Sequence, residues 1–233
     1  GAAAAPLTLR VVGGLAGVNQ YTRIEEPFWS RDLRRLSEGR YAAEIVPFDR
    51  AGIRGPEFLP MVRLGTVPFG TLLVSLAAPK DAELTGIDLA GLNPDPATLQ
   101  RTVQALRPRL RTLLKERHNA ELLAVYVYTA QVLFCRAPLR GLEDLRGKRV
   151  RTSSVTQSDW VEALGGQAVS TRFAEIVDNL RTGNMDCAIT GTMSGNNIGL
   201  HEITTHLHPM PVNWGLALFI AHAPSWQALP ADL

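Results

Sequence analysis

Apolar positions fall into two rhythms along the chain, and the rhythm changes partway. Leu7 to Val12 is a short apolar run stopped by Gly13-Gly14, the pattern of a buried strand. Phe28, Trp29, Leu33 and Leu36 recur at helical spacing before Gly39, so a helix is predicted there. Tyr41 to Val46 reads as a strand and "FDRAGIRG" as a loop. Pro56 to Leu64 reads as a short helix opened by proline and closed by Gly65, and Val67 to Leu76 as a buried strand. Leu99, Val103, Leu106, Leu110 and Leu113 then mark a long polar helix that Pro108 should kink or divide.

Two strands follow, Leu122 to Tyr128 and Gln131 to Cys135. After Gly147 the alternation quickens: strand 149–152, helix 158–164, strand 168–170, helix 172–181, strand 186–190. Phe173, Ile176, Val177 and Leu180 form one apolar face of the second of these helices. Strands alternating with helices imply parallel strands covered by helices, here in two α/β blocks meeting near Tyr128. Ligands of such sheets bind beyond the carboxyl ends of strands. That rule singles out Gly13–Gln20, Ser75, Arg151–Ser154 and Thr190–Asn197.

Composition changes this picture little. Of 233 residues, 45% are apolar and 20% charged, which is ordinary for a globular protein and enough for a core without metal or disulfide. A formal charge of +2, with arginines scattered near carboxylates, gives no basis for nucleic-acid binding. No apolar run reaches the roughly 20 residues a membrane span needs. Gly1 to Pro6 is expected to stand outside the fold, as the remnant of a removed leader or of cloning. Cys135 and Cys187 belong to no CxxC pair, which argues against zinc; buried thiols and a disulfide both remain open.

Enzyme signatures are sparse. GxSxG, GxxxxGK and HExxH are absent, and "GGLAG" at Gly13–Gly17 does not fit a dinucleotide loop. His206 and His208 lack a third ligand and precede Pro209, so they read as solvated loop residues. Glu25 and Glu26 read as carboxylates favoured by a helix start. "TGTMSGNN", Thr190 to Asn197, has the small residues that offer N–H groups to an anion, although ordinary turn chemistry explains them equally. Arg149 and Arg151 share one side of a predicted strand, and an arginine fork held in a cleft suits a carboxylate. Arg146, Lys148 and Arg149 are expected in solvent and Arg151 in the cleft.

"LEDLRGKRVRTSS…EALGGQAVSTRFAEIVDNLRTGNMDCAITG" resembles the substrate-binding proteins of tripartite ATP-independent periplasmic (TRAP) transporters, the family named for C4-dicarboxylate uptake. Asp144–Thr152, Leu164–Gly166, Phe173–Gly183 and Met185–Cys187 follow the family's successive motifs. "LSEGRYAAEIVPFDRAG", "EFLPMVRLGTV" and "SWQALPADL" extend the likeness in the family's order.

The resemblance implies an α/β, two-lobed periplasmic binding protein of type II-like form, each lobe a mixed sheet flanked by helices and joined by hinge strands. Lobe I would be residues 1–127 with 212–233 returning to it, and lobe II residues 128–211. Its implied function is an extracytoplasmic receptor, not an enzyme, that binds a small organic acid between the lobes without a cofactor. It would deliver that acid to the small and large TRAP membrane subunits. The family's clamping arginine falls on Arg151, with Ser153 beside it, the aromatic neighbour on Phe173, and the polar position after V-D-G on Thr190, with Thr192 following. Asn19, Gln20 and Ser75 would contribute from lobe I, and Gln131 from the hinge strand. This chain departs from the pattern at Ser153, where the family has proline, and at Cys187, where it has glycine. It also has Ala130 beside Gln131 where some members carry a second arginine, and it stops at Leu233 where relatives continue through a long helix. Two other readings stay open: a phosphate- or phosphoribosyl-binding enzyme on a similar scaffold using Thr190–Asn197, and a ligand-sensing module.

Overall fold

The computed structural model describes residues 5–233, so the expectation for Gly1 to Pro6 lies mostly outside the described residues. In chain order the first four strands are β1 (Leu7–Gly13), β2 (Tyr41–Pro47), β3 (Phe69–Leu73) and β4 (Ala120–Val127). The next five are β5 (Gln131–Cys135), β6 (Arg149–Thr152), β7 (Gln167–Ser170), β8 (Cys187–Gly191) and β9 (His206–Asn213). The last is β10 (Leu216–His222).

These strands make two mixed five-stranded sheets, in the orders β2-β1-β3-β10-β4 and β7-β6-β8-β5-β9. In the first sheet β1 runs parallel to β2 and β3, and β10 is antiparallel to β3. In the second, β6 runs parallel to β7 and β8, while β5 is antiparallel to β8 and β9. Each sheet is therefore a parallel trio extended by antiparallel strands, where strand–helix alternation alone suggested parallel pairing.

The chain divides into two units. One holds the segment ending at Leu84, Arg107–Tyr126 and Ala217–Leu233; the other holds Thr85–Leu106 and Val127–Leu216. The expected lobes differ from this division at residues 85–106, 127 and 212–216. Hydrogen bonds join the two longer segments, since Gly91 N–H donates to Val212 O and Asp88 accepts from the N–H groups of Trp214 and Gly215. Asn213, bonded to Gln157 and paired with Gln131, ties them to the second unit.

Within the first unit, Leu9, Val11, Leu33, Tyr41, Phe69 and Phe219 form a core over which Trp29 and Tyr126 pack. Trp29 and Tyr126 both meet the Phe219 ring, at centroid distances of 5.5 and 6.2 Å. The predicted helix before Gly39 exists, but with π-helical turns at Tyr21–Glu25 and Phe28–Asp32. Of the four residues at helical spacing, Leu33 is buried while Phe28 and Leu36 are exposed. Helix Phe58–Leu64 ends at Gly65, whose φ of 80° is left-handed, and a Cβ there would lie 2.9 Å from the His222 ring. The predicted strand 67–76 stops at Leu73 and turns into the helical turn Val74–Ala77. Pro108 does not divide its helix, which runs from Pro96 to His118.

The second unit packs a core on each face of its sheet. Leu133, Leu145, Val150, Val161 and Ile189 lie on one face with the two cysteines, and Val132, Phe134, Ile176, Leu180, Met185 and Ala188 on the other. The face predicted from Phe173, Ile176, Val177 and Leu180 joins the latter core. Cys135 and Cys187 are opposite each other in the β5–β8 register and form a disulfide, both fully buried. Among the described residues no helix is long and apolar enough to cross a membrane.

Candidate functional site

Because β6, β7 and β8 are parallel, their carboxyl ends share one edge of the second sheet. The antiparallel β5 begins there, since Gln131 is paired with Gly191. That edge collects Arg151, Ser153, Phe173, Thr190, Gln131 and Thr192 within one unit. Asn19, Gln20 and Ser75 lie in the other unit, past the ends of β1 and β3. Asn19 and Gln20 are half-buried in the helical start after β1. Ser75 is half-buried in the turn 74–77, two residues beyond the end of β3.

Arg151 sits in register with Ala188, on the sheet face that carries Val132, Phe134 and Ala188. It is 4% exposed. Its Nε donates to Thr171 O at 2.9 Å and its Nη1 to Ile189 O at 2.8 Å. Both acceptors are backbone carbonyls, Thr171 just past β7 and Ile189 in the middle of β8, so they aim the guanidinium but do not neutralise it. Among the described residues no carboxylate pairs with Arg151, and its Nη2 has no partner. Burial alone pulls its pKa down to about 10, which leaves it charged at neutral pH. A buried cation without a counter-charge is costly, and an incoming anion removes that cost.

Phe173, half-buried, packs against the core on the same face, two residues after the Thr171 carbonyl that holds Arg151. Thr190 is 3% exposed and follows Ile189, the other carbonyl. Gln131 lies between two glycines: a Cβ on Gly191 would meet its Nε2 at 3.3 Å, and one on Gly215 at 3.0 Å. Gly215 also needs its φ of 72°. The segment Thr190–Asn197 is not an open loop. β8 runs on through Gly191, and Thr192–Asn197 is a short helix whose Thr192 N–H is spent on Ala130 O.

Ser153 and Ser154 form the turn into helix Val155–Ala163. Ser154 Oγ caps it, accepting from Gln157 N–H at 3.2 Å. Gln157 is 1% exposed and leads into a buried chain of polar contacts. Its Oε1 accepts from Ser153 N–H (2.9 Å) and Ser153 Oγ–H (3.1 Å), and its Nε2 donates to Asn213 Oδ1 at 2.8 Å. Asn213 Nδ2 donates to Asp88 at 3.0 Å, and Asp88 also accepts from Trp214 and Gly215 N–H at 2.9 and 2.8 Å. Burial pushes the Asp88 carboxyl up to about 6, against the pull of these donors.

Sequence reasoning missed this chain, because Asp88 and Asn213 are far apart in sequence and share no motif. It also misread Glu25 as a helix-start carboxylate. Glu25 is 3% exposed and accepts from Gly14 N–H and from Thr71 Oγ1 at 2.9 Å; burial raises its pKa. The signal was present: Tyr21, Glu25, Trp29 and Leu33 recur every fourth residue and share the inward face.

His206 and His208 lie on strand β9 instead of a loop, His206 beside Thr205 Oγ1 and His208 accepting from Met210 N–H. Among the described residues no three His, Cys, Asp or Glu side chains gather to hold a metal ion.

Residues 17–233 match the family described as bacterial extracellular solute-binding protein, family 7. The fold is similar to that of DctP7 from Bordetella pertussis, an extracytoplasmic solute receptor binding pyroglutamic acid. The TM-score is 0.83 at 19% identity, over 97% of this chain and 74% of that one. A TRAP periplasmic solute-binding protein from Pseudomonas aeruginosa PAO1 with bound L-malate gives 0.80 at 16% identity, over 97% and 79%. One from Rhodoferax ferrireducens with bound malonate gives 0.81 at 20% identity, over 96% and 73%.

Proposed function

This chain belongs to family 7 of the bacterial extracellular solute-binding proteins, and from that premise we propose that it is a periplasmic receptor whose Arg151 clamps a small organic acid for a TRAP-type transporter. The observation that carries the reading is the state of that guanidinium. It is buried, aimed by two carbonyls, without a carboxylate among the described residues, and left with Nη2 unspent. The bound molecules of the similar structures are pyroglutamate, malate and malonate, which share a carboxylate.

Arg151 Nη2 and the outer edge of its fork would donate to the carboxylate, with Phe173 beside the ligand and Thr190, Gln131 and Thr192 as polar neighbours. Asn19, Gln20 and Ser75, in the other unit, are proposed ligand-binding residues in their own right. A charge-assisted hydrogen bond contributes about 1.5–3 kcal/mol. Two of them supply a large part of the roughly −8 kcal/mol that micromolar affinity requires. Holding and releasing a solute needs no bond to be made or broken, so the reading includes no catalysis. The transporter's integral membrane subunits are the proposed partners, and they take the solute from the loaded receptor.

Native mass spectrometry of freshly purified protein, with a thermal-shift screen of organic acids, tests the proposal. A carboxylic acid bound one to one is the expected result. Stabilisation by a phosphorylated sugar and by no organic acid would favour the enzyme reading instead. That reading has lost its main support, since the residues of Thr190–Asn197 form a strand end and a helix whose first N–H is already bonded.

A further inference from the structure

The polar chain that ends on Ser153 has a direction, and the direction is fixed from both ends. A backbone N–H can only donate, so the Gln157 atom facing Ser153 N must be its amide oxygen. Gln157 Nε2 therefore faces Asn213, which must present Oδ1, and Asn213 Nδ2 then faces Asp88. At the far end, Trp214 and Gly215 N–H groups independently require Asp88 to accept. The two deductions agree, with Gln157, Asn213 and Asp88 buried.

This order decides what Ser153 offers. Its hydroxyl hydrogen is directed to Gln157 Oε1 at 3.1 Å, leaving the lone pairs of Oγ as its outward chemistry. Ser153 is half-buried, two residues beyond Arg151 and at the same strand end. An acceptor there is poorly matched to a carboxylate and well matched to an O–H or N–H group.

We propose that Ser153 Oγ is a specificity-determining acceptor, so that the ligand is an organic acid carrying a hydroxyl or N–H donor in addition to the carboxylate held by Arg151. Gln157, Asn213 and Asp88 are positioning residues that keep the serine in this state. The inference rests on the receptor reading above and narrows its ligand class.

Calorimetry with matched acids tests it: L-malate against succinate, L-lactate against propionate, and pyroglutamate against cyclopentanecarboxylate. In the wild-type protein the donor-bearing member of any pair that binds should be tighter by about threefold or more, the worth of one neutral hydrogen bond. Ser153→Ala should erase that preference, so that the donor-bearing acid loses about threefold or more relative to the other member. Gln157→Leu, which frees the serine hydrogen, should reduce the preference without moving the donor-free acid. Equal binding of both members by the wild type, or a preference that survives Ser153→Ala, overturns the assignment of Ser153 and leaves the receptor reading standing. Binding of none of the six acids, in a protein that no organic acid stabilises, overturns the receptor reading itself.

Discussion

Arg149 and Arg151 project from the same side of β6, yet only Arg149 has a carboxylate. Arg149 donates from its backbone N–H and from Nε and Nη2 to Asp186, and nearly half of its side chain is in solvent. Arg151 is buried and donates to two backbone carbonyls. Two arginines two residues apart are thus divided between a surface ion pair and an unpaired buried charge. The difference lies in the backbone carbonyls of Thr171 and Ile189, which hold the second guanidinium in place without satisfying it.

Arg149→Ala should therefore act as a surface substitution. The Arg149–Asp186 pair is more than a third exposed on both sides, so its loss should cost at most about 1 kcal/mol. Ligand affinity should stay within about twofold of wild type, since Arg149 spends its donors on Asp186. Denaturant melts and calorimetry on the one variant check both statements. A tenfold loss of affinity would show that the wrong arginine has been assigned.

Asp88 gives stability a pH dependence opposite to that of the ion-paired carboxylates. Burial raises its pKa in the folded protein to about 6, so between about 4 and 6 the unfolded chain releases a proton that the folded chain keeps. Stability from this group is complete below the unfolded value and is lost as pH rises through 6. The shift corresponds to about 3 kcal/mol at most. Asp186 and Glu83, held down by arginines, work in the other direction. The difference in unfolding free energy between wild type and Asp88→Asn should therefore shrink as pH rises from 4 to 7. A difference independent of pH would show that Asp88 does not titrate in this range.

The disulfide closes a 52-residue separation across β5 and β8. Chain-entropy arguments assign a loop of this length about 4 kcal/mol. Cys135→Ala with Cys187→Ala should lower the unfolding free energy by at least about 2 kcal/mol in denaturant titrations, and a reductant should leave the double variant unaffected. A loss below about 1 kcal/mol would mean that the two strands hold their register without the bond. A buried disulfide also suits an oxidising compartment, as the periplasmic assignment requires.

Much of this architecture was legible because it is local. β5 and β6 lie where the apolar runs put them, and Ser154 caps a helix that starts three residues before the predicted one. Arg151 was identifiable because a strand end is a local feature and its i, i+2 relation to Arg149 is set by the pleat. Four things were not legible. The π-helical turns at Tyr21–Glu25 and Phe28–Asp32 are not anticipated by 3.6-residue periodicity. The antiparallel β5 and β10 depend on long-range pairing. The Asp88–Asn213–Gln157–Ser153 chain is held by tertiary contacts between residues that share no pattern in sequence. Pairing of Cys135 with Cys187 needed the β5–β8 register, which sequence left undetermined.

The most direct measurement is the affinity of Arg151→Lys for the organic acid that most stabilises the wild-type protein, by calorimetry at neutral pH. Lysine keeps the charge and removes the planar fork. Binding weaker by at least about tenfold, or 1.4 kcal/mol, is the predicted result. An unchanged dissociation constant would contradict the central claim and remove Arg151 from the site.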